Sequence, residues 1–406
     1  MKLSEKLKQD YPSVKKVALA FSGGLDSIVA GKLLLEAGFE VLPVAVDVGQ
    51  KSDFAKIEAN ARAVFSSCKM VDAKELFCQN AIRALKANFG ADGRLNSGGI
   101  SRPALASAIA KVALESGCDA VAHGSSGVGN EHLILENSFR TIAPELRIIA
   151  PVRDLDLKRD QSLQLAAKEK LPTNLLRAKK FSADENLWGR TIRQGIVLDP
   201  SAKLPPEAYK WTKSPQEAPA APQQVRIQFS EGAPAFAQTE GKKATTPLEI
   251  FMLLNEVGGR HAIGRFDGVE DKAVGLKSHE VYECPAAAIL LFAHRHLEAL
   301  TLTVSELEAK SSIDAFWAKV VRQGGWYSRL RRSLDAFISE IEKPVDGEVL
   351  LSLYKGNILI LGRKSNHALY DSRLSRGKGG AFSQKDARQF AKLYGLQDVL
   401  AYLLDR

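Results

Sequence analysis

The chain of 406 residues is long enough for two or three domains, and its 45% hydrophobic and 25% charged residues are typical of a globular protein. No apolar run approaches the roughly 18 residues of a membrane span, and the polar N-terminus lacks the apolar region of a signal peptide. The net charge of +9 is dispersed, so we expect anionic small molecules as partners, no nucleic acid and no membrane. Four widely spaced cysteines favour a reduced, cytoplasmic protein.

After a short polar helix within residues 1–16, the stretch 17–27 combines a strand, a glycine turn and a helix start. Residues 17–21 form an apolar run suited to a buried parallel strand. Ser22-Gly23-Gly24 then makes a tight turn whose glycines let a ligand approach the backbone closely. A helix is predicted from Asp26, and its free N–H groups would complete an anion site. The alternative is an ordinary turn in which Ser22 or Asp26 caps the helix.

The following residues alternate between strands and helices as far as residue 170. Strands are predicted at 41–46, 70–71, 120–123 and 148–150, and helices at 52–66, 74–88, from Pro103 onwards and at 160–170. Pro103 suits the first turn of its helix. Strands that alternate with helices predict an α/β fold with a doubly wound parallel sheet.

The second half of the chain reads differently. Residues 199–224 are rich in proline and predict an extended connector. Further elements are predicted as a strand at 225–229, a helix at 248–257, a β-type stretch at 273–282, a helix at 286–300 and a hairpin at 350–361 that turns at Lys355-Gly356-Asn357.

The C-terminal segment is predicted to be helical from Ser383 and is interrupted by Gly395. Its apolar stripe consists of Phe390, Leu393, Val399, Leu400, Leu403 and Leu404. A basic loop at 376–380 separates this stripe from the rest of the chain. The stripe must therefore pack on the chain's own body or on a partner subunit.

A second glycine-rich loop follows the strand at 120–123. The run Gly124-Ser125-Ser126-Gly127-Val128-Gly129 offers another set of backbone donors, and Asn130 and Glu131 stand at the next helix start. Asn130 both donates and accepts hydrogen bonds, and Glu131 carries a negative charge. This pattern suits an amino-acid ligand whose carboxylate meets N–H groups and whose ammonium meets Glu131. The alternative is a helix cap formed by the same two residues.

The string Ser-Gly-Gly-x-Asp-Ser at 22–27 resembles the pyrophosphate-binding loop of the N-type ATP pyrophosphatases. With both loops considered, nearly the whole chain resembles the argininosuccinate synthase family. The matching motifs are Asp47-Val48-Gly49-Gln50, Ser101-Arg102-Pro103, Ala122-His123-Gly124, Ile149-Ala150-Pro151, Asp184 to Arg190, Asn255 to His261, Gly275 to Ser278 and Tyr354 to Asn357.

The resemblance implies an ATP-dependent, AMP-forming carbon–nitrogen ligase of arginine biosynthesis. The ureido oxygen of citrulline, or of an analogue, would attack the α phosphate of ATP and release pyrophosphate. The amine of aspartate, or of an analogue, would then displace AMP. The family architecture implies a nucleotide-binding domain at 1–172, a synthetase domain at 173–380, a C-terminal oligomerisation helix at 381–406, and a homotetramer that uses ATP and Mg²⁺.

Site residues follow from the same resemblance, position by position. The residues expected to bind ATP are Ala20, Phe21, Ser22, Gly23, Gly24, Leu25, Asp26, Ser27, Val46 and Gly124. Ser22 and Asp26 would be catalytic, and Asp26 would also bind the metal ion. The residues expected to contact the amino acids are Ser126, Asn130, Glu131, Ser182, Thr191, Glu270 and Tyr282. The ordinary structural alternatives are helix or turn capping for Ser182 and Thr191, a surface charge for Glu270 and a half-buried strand aromatic for Tyr282.

The amino-acid half departs from the family pattern, while the ATP half does not. Ser126 replaces a threonine and Glu131 an aspartate that face aspartate in the family, and Ile134 replaces an arginine that faces citrulline. A tyrosine is also lost near Gly90. These changes favour altered handling of citrulline, with Arg94 and His132 as candidate replacement cations. Other pyrophosphatase-loop adenylating enzymes and a non-catalytic nucleotide-binding protein are the alternative functions.

Overall fold

The computed structural model describes residues 3–95, 97–172, 182–193, 195–375 and 383–406. A sheet of five parallel strands in the order β3-β2-β1-β4-β5 organises the first part of the chain. Its strands are β1 (Lys16–Ala20), β2 (Glu40–Asp47), β3 (Lys69–Asp72), β4 (Ala120–Ala122) and β5 (Arg147–Ile149). The predicted doubly wound sheet is confirmed. Its strand order reverses between β1 and β4, where ligands bind in such sheets.

Helices cover both faces of this sheet. They are α1 (Leu3–Asp10), α2 (Leu25–Glu36), α3 (Phe54–Arg62), α4 (Lys74–Lys86), α5 (Gly98–Glu115), α6 (Glu131–Ile142), α7 (Pro151–Asp154) and α8 (Arg159–Lys168). Side-chain alternation along β1 sends Val17 and Leu19 into the apolar cluster that contains Leu33 and Phe65, and sends Ala18 into the cluster on the other face.

The prediction for Pro103 was wrong by more than a turn. Because the glycine-rich residues before it are themselves helical, α5 begins at Gly98 and Pro103 lies inside the helix. The amide N–H of Ser101 already bonds the carbonyl of Ser97 at 2.9 Å. Pro103 therefore removes an interior helix hydrogen bond rather than occupying the first turn, where that donor would be free.

A second, antiparallel sheet has the strand order β11-β12-β7-β6. Its strands are β6 (Ser182–Asn186), β7 (Gly189–Arg193), β11 (Arg265–Asp271) and β12 (Lys277–Glu283). Only the end of the β-type stretch predicted at 273–282 is a strand. β11 was not predicted, because its sequence is mostly charged, and its exposed Val269 and buried Glu270 reverse the usual pattern of a half-buried strand.

A third sheet is antiparallel with the order β10-β9-β8-β13-β14. Its strands are β8 (Gln223–Ser230), β9 (Ala233–Thr239), β10 (Lys242–Ala244), β13 (Gly347–Tyr354) and β14 (Asn357–Lys364). The hairpin predicted at 350–361 is confirmed. Lys355 and Gly356 form its turn, with φ of 44° and 91°, which suits the right-handed twist of two hairpin strands.

The remaining helices pack on these two sheets or follow them. They are α9 (Pro247–Arg260), α10 (Pro285–Thr301), α11 (Val304–Arg322), α12 (Arg329–Ile341), α13 (Ser372–Ser375), α14 (Gln384–Tyr394) and α15 (Leu396–Leu404), with short 3₁₀ turns at Gly195–Leu198 and Pro206–Ala208. α11 and α12 were not predicted. The helices predicted at 248–257 and 286–300 correspond to α9 and α10 and are confirmed.

The C-terminal helices α14 and α15 carry the predicted apolar stripe on either side of Gly395. Every residue of 383–406 apart from Gly395 is exposed, and Leu404 is 86% exposed. The stripe therefore does not pack on the described part of its own chain. The basic loop at 376–380 and the predicted domain boundary at 380 lie outside the described residues.

Candidate active site

The first loop joins β1 to α2 at the carboxyl edge of the parallel sheet. Gly23 has φ of +68°, a conformation that favours glycine. Gly24 occupies the N-cap position of α2, and no side chain caps this helix. The alternative interpretation, in which Ser22 or Asp26 is the cap, was wrong. The first N–H groups of α2 thus remain available, as at anion-binding helix N-termini.

Two hydroxyl groups line this turn. Ser22 Oγ and Ser27 Oγ lie 3.2 Å apart, and Ser27 Oγ donates to the carbonyl of Gly24 at 2.9 Å. Ser22 is exposed and Ser27 is buried. Ser22 Oγ also accepts from the amide N–H of Gly24 at 3.3 Å, so these contacts fix the shape of the loop while Ser22 stays exposed to a ligand.

The other residues expected to bind ATP differ in how they could do so. Phe21 and Leu25 are buried, and Phe21 packs edge-to-face on Phe65 with 5.6 Å between ring centroids. A ligand can therefore reach these two residues only through their backbone. Ala20 ends β1, and Val46 lies near the carboxyl end of the neighbouring strand β2, so both stand at the ligand edge of the sheet.

Asp26 lies in the first turn of α2 and is half-buried. Burial raises the pKa of this carboxyl, and the charge of Arg159 opposes the rise. A partly desolvated carboxylate gains from a nearby cation. Mg²⁺ commonly takes one or two carboxylates together with substrate phosphates, and this donor set fits it.

Gly124 brings the second loop against the first. A Cβ added to Gly124 would lie 2.6 Å from the backbone carbon and oxygen of Asp26 and 2.8 Å from the amide nitrogen of Ser27. No side chain fits at that distance. The two glycine-rich loops that the sequence singles out therefore meet backbone to backbone at the point where the strand order reverses.

Asn130 does not cap the helix that follows this loop. It stands at the N-cap position of α6, but its side chain makes no capping bond. Its Oδ1 accepts from the amide N–H of Ala273 at 2.8 Å, and its Nδ2 donates to the carbonyl of Arg322 at 3.5 Å. Asn130 thus ties the loop to the connection between β11 and β12 and to the end of α11, while Ser126 is exposed.

The remaining predicted residues share one face of the second sheet. Thr191 pairs with Tyr282 across β7 and β12, and Ser182 pairs with Arg193 across β6 and β7. Directly paired residues project to the same side of a sheet, and so do residues two apart along a strand. Glu270 joins them from β11, because the hydroxyl of Tyr282 donates a hydrogen bond to its carboxylate. The structure therefore brings all four together.

Glu131 connects this face to the second loop. Its carboxylate accepts a hydrogen bond from the Arg193 guanidinium. Burial alone would raise the pKa of Glu131, but the charges of Arg193 and Arg102 outweigh it and lower the pKa to about 2. Glu131 is thus a fixed carboxylate already paired with a cation.

Three ionised side chains complete this face and were missed from the sequence. They are Arg193, Lys272 and Glu280. Glu280 bonds Lys272, lies 3.3 Å from Arg193 Nε and accepts from the Tyr282 hydroxyl at 3.1 Å. Burial first, and then the charges of Glu280 and Glu270, raise the pKa of Tyr282, so its phenol stays protonated. Residues two apart on a strand project to the same face, so Arg193 and Glu280 could have been predicted from their spacing to Thr191 and Tyr282.

A second buried charge cluster lies away from this site. Among the described residues, His294, Glu298 and Glu342 hold their ligand atoms close enough for a metal ion. Lys310 Nζ, however, lies 2.9 Å from Glu298 and 3.3 Å from Glu342. Its ammonium already supplies the positive charge that an ion would bring, so the cluster is a structural ion network.

No helix within the described ranges is long and apolar enough to cross a membrane. Residues 16–172 match the family model for the arginosuccinate synthase N-terminal HUP domain, and residues 181–401 match that for the arginosuccinate synthase C-terminal domain. Similar proteins are the argininosuccinate synthases of Pyrococcus furiosus (43% identical over 393 residues, 95% of this chain and 94% of the relative) and Methanopyrus kandleri (42% over 393 residues, 96% and 99%). That of Methanococcus maripaludis is 40% identical over 390 residues, covering 95% of this chain and 98% of the relative. The chain therefore belongs to the argininosuccinate synthase family.

Proposed function

We propose that the protein joins citrulline to aspartate in an ATP-dependent reaction that releases AMP and pyrophosphate and forms argininosuccinate. The observation that carries this proposal is the contact between Gly124 and Asp26, which sets the amino-acid loop directly against the uncapped N-terminus of α2. The match to the family over nearly the full chain supports it independently. The same match does not favour another pyrophosphatase-loop enzyme or a non-catalytic paralogue.

In the first step, the citrulline ureido oxygen attacks the α phosphorus of ATP, and the bond from that phosphorus to the bridging oxygen breaks. The leaving pyrophosphate carries the developing charge. The N–H groups of Gly23 and Gly24, with the hydroxyls of Ser22 and Ser27, would hold it at the N-terminus of α2. Asp26 would hold Mg²⁺, which supplies further positive charge to the phosphates when bound.

In the second step, the aspartate nitrogen attacks the ureido carbon and AMP leaves with the former ureido oxygen. The side chains on the sheet face would hold the two amino acids next to the phosphates. No protein nucleophile takes part, so positioning and charge stabilisation supply the catalysis. Ser126, Asn130, Glu131, Ser182, Thr191, Glu270 and Tyr282 are proposed for this positioning role.

The assembly and location are further proposals. The exposed apolar stripe of α14 and α15 supports an oligomer in which partner subunits cover it, and the family resemblance favours a homotetramer. We assign the protein to the cytoplasm and to arginine biosynthesis. The division at 1–172, 173–380 and 381–406 stays a prediction.

The test is product formation by the purified full-length protein with ATP, Mg²⁺, citrulline and aspartate. We expect pyrophosphate, AMP and argininosuccinate in equal amounts, identified by enzymatic detection and mass spectrometry. A panel of ureido, guanidino and amino acids runs in parallel. Turnover with an analogue pair but not with citrulline and aspartate would refute the proposed substrates and support altered specificity.

A further inference from the structure

Arg193 is half-buried on the sheet face, and two nitrogens of its guanidinium lack a hydrogen-bond partner among the described residues. Its Nη1 donates to Glu131, and its Nε lies 3.3 Å from a carboxylate oxygen of Glu280. The contact of Nε with Glu280 is an ion pair without a hydrogen bond, and Nη2 is buried and has neither among the described residues. A buried donor without a partner is costly, and a guanidinium edge matches the geometry of a carboxylate.

The position of this free donor coincides with the proposed amino-acid site. Arg193 lies two residues from Thr191 on the same strand and pairs with Ser182 on the next strand. Glu131 reaches it from the second loop. Of the residues proposed to contact the amino acids, Glu131 therefore contacts the guanidinium, and Ser182 and Thr191 lie beside Arg193 on the same face.

Three other cations near this face are also paired with carboxylates, but none of the three has a buried nitrogen without a partner among the described residues. Arg102 donates to Asp184 at 2.5 Å, and Lys272 bonds Glu280. Arg94, which the sequence suggested as a replacement cation, donates to Asp92 at 2.9 Å.

His132, the other suggested replacement, is neutral near pH 7. Burial, followed by the charge of Arg153, lowers its pKa. Ile134, where the family pattern has an arginine, is buried and apolar, with its backbone against Gly324. Among the described cations of this face, Arg193 is thus the one with a buried guanidinium nitrogen that lacks a partner.

We propose that Arg193 is a specificity-determining residue whose Nη2–H group binds the carboxylate of an amino-acid substrate, while Glu131 and Glu280 hold its guanidinium in place. This inference rests on the proposed function and deepens it. Citrulline and aspartate both carry carboxylates, so kinetics with each substrate varied separately decide which of the two is bound. Glu131 becomes a positioning residue that acts through Arg193 instead of a direct partner of the substrate ammonium.

The test compares wild type with Arg193→Gln in steady-state pyrophosphate release. We expect the KM for citrulline or for aspartate to rise by about tenfold or more, because a charge-assisted contact is lost, while the KM for ATP changes by less than about threefold. Arg193→Lys keeps the charge beside Glu131 without the planar fork, and should give an intermediate KM.

A comparison of substrates separates carboxylate binding from a structural role. Wild type should prefer each amino acid over its α-carboxamide, and Arg193→Gln should lose most of that preference for the substrate that Arg193 binds. Arg226→Gln, an exposed substitution on β8, is the matched control and should behave as wild type.

The outcomes distinguish the two proposals. If wild type makes no argininosuccinate, the proposed function fails before any variant is compared. If wild type is active but Arg193→Gln keeps both amino-acid KM values and both carboxamide preferences within about threefold of wild type, the role of Arg193 is refuted. A parallel rise in all three KM values also refutes it. If the glutamine variant does not fold, the same measurements on Arg193→Lys decide.

Discussion

The proposed ATP side of the site is built from glycine backbone and two serine hydroxyls, whereas the proposed amino-acid side is built from a network of buried and half-buried carboxylates and cations. The ATP side depends on loop shape, which Gly23 and Gly124 set through conformation and close approach. The amino-acid side depends on pairs such as Glu131 with Arg193, in which each side chain needs its partner. Substitution of side chains leaves a site made of backbone groups largely unchanged. In a site made of paired side chains, a substitution of one member requires a substitution of its partner. One chain can therefore retain a reaction and adjust its substrates.

The largest expected effect is on the ATP side. Asp26→Ala removes the carboxylate proposed for Mg²⁺ and should lower the rate of pyrophosphate release by about a hundredfold or more. Because no side-chain cap is lost, the variant should fold normally. Stopped assays of pyrophosphate and circular dichroism measure the two properties. Near-full turnover by a folded Asp26→Ala variant would refute the role of this loop.

A second substitution tests the contact between the two sides. Gly124→Ala places a methyl group 2.6 Å from the backbone of Asp26, so one loop must move. We expect a loss of about 1–3 kcal/mol of stability, together with a clear rise in the KM values for ATP and for both amino acids. Thermal unfolding and kinetics measure these effects. Gly362→Ala, which has open space around the new methyl, is the control. Unchanged kinetics in Gly124→Ala would show that the loops do not act together.

The ion network of the amino-acid side predicts a pH dependence of stability. The folded pKa of Glu131 is about 2, whereas an unfolded glutamate titrates near pH 4.3. The stabilisation by its charge is therefore complete above about pH 4.3 and is lost as the pH falls towards about 2. Glu131→Gln should cost about 2 kcal/mol at pH 7, and this difference from wild type should shrink on acidification. Urea unfolding at pH 7, 4.5 and 3.5, at one protein concentration, measures it. A difference that stays constant with pH would contradict the pairing.

The smallest expected effect on the site comes from the C-terminus. A chain that ends after Gly380 lacks the exposed stripe. Light scattering should therefore show fewer subunits per particle than in wild type. Its KM values for ATP and the amino acids should stay within about threefold of wild type. An unchanged mass would show that other surfaces hold the oligomer.

The parts predicted correctly from sequence are local ones. The turn at Ser22 to Gly24 could be recognised because its strand, glycines and helix are adjacent in the chain. The hairpin at Lys355 and Gly356 was predicted for the same reason. Pro103 was misplaced because proline is usually found in the first turn of a helix. The glycine-rich residues before it are nevertheless helical, so α5 begins at Gly98.

The parts that were missed depend on distant residues. Arg193 and Glu280 meet only because β7 pairs with β12, and nothing in either segment alone signals the other. The expectation that Glu131 directly faces a substrate ammonium likewise omitted the arginine already beside it. Burial and strand register create this network, so short motifs could not reveal it.

In the proposed reaction, citrulline bound on the face of the second sheet attacks ATP bound at the glycine-rich loop between β1 and α2. Citrulline labelled with ¹⁸O in its ureido oxygen tests this most directly, since that oxygen should pass to the α phosphorus and leave with AMP. We predict one ¹⁸O atom in each AMP and none in the pyrophosphate or the argininosuccinate, measured by mass spectrometry. Unlabelled AMP formed during turnover would contradict the account.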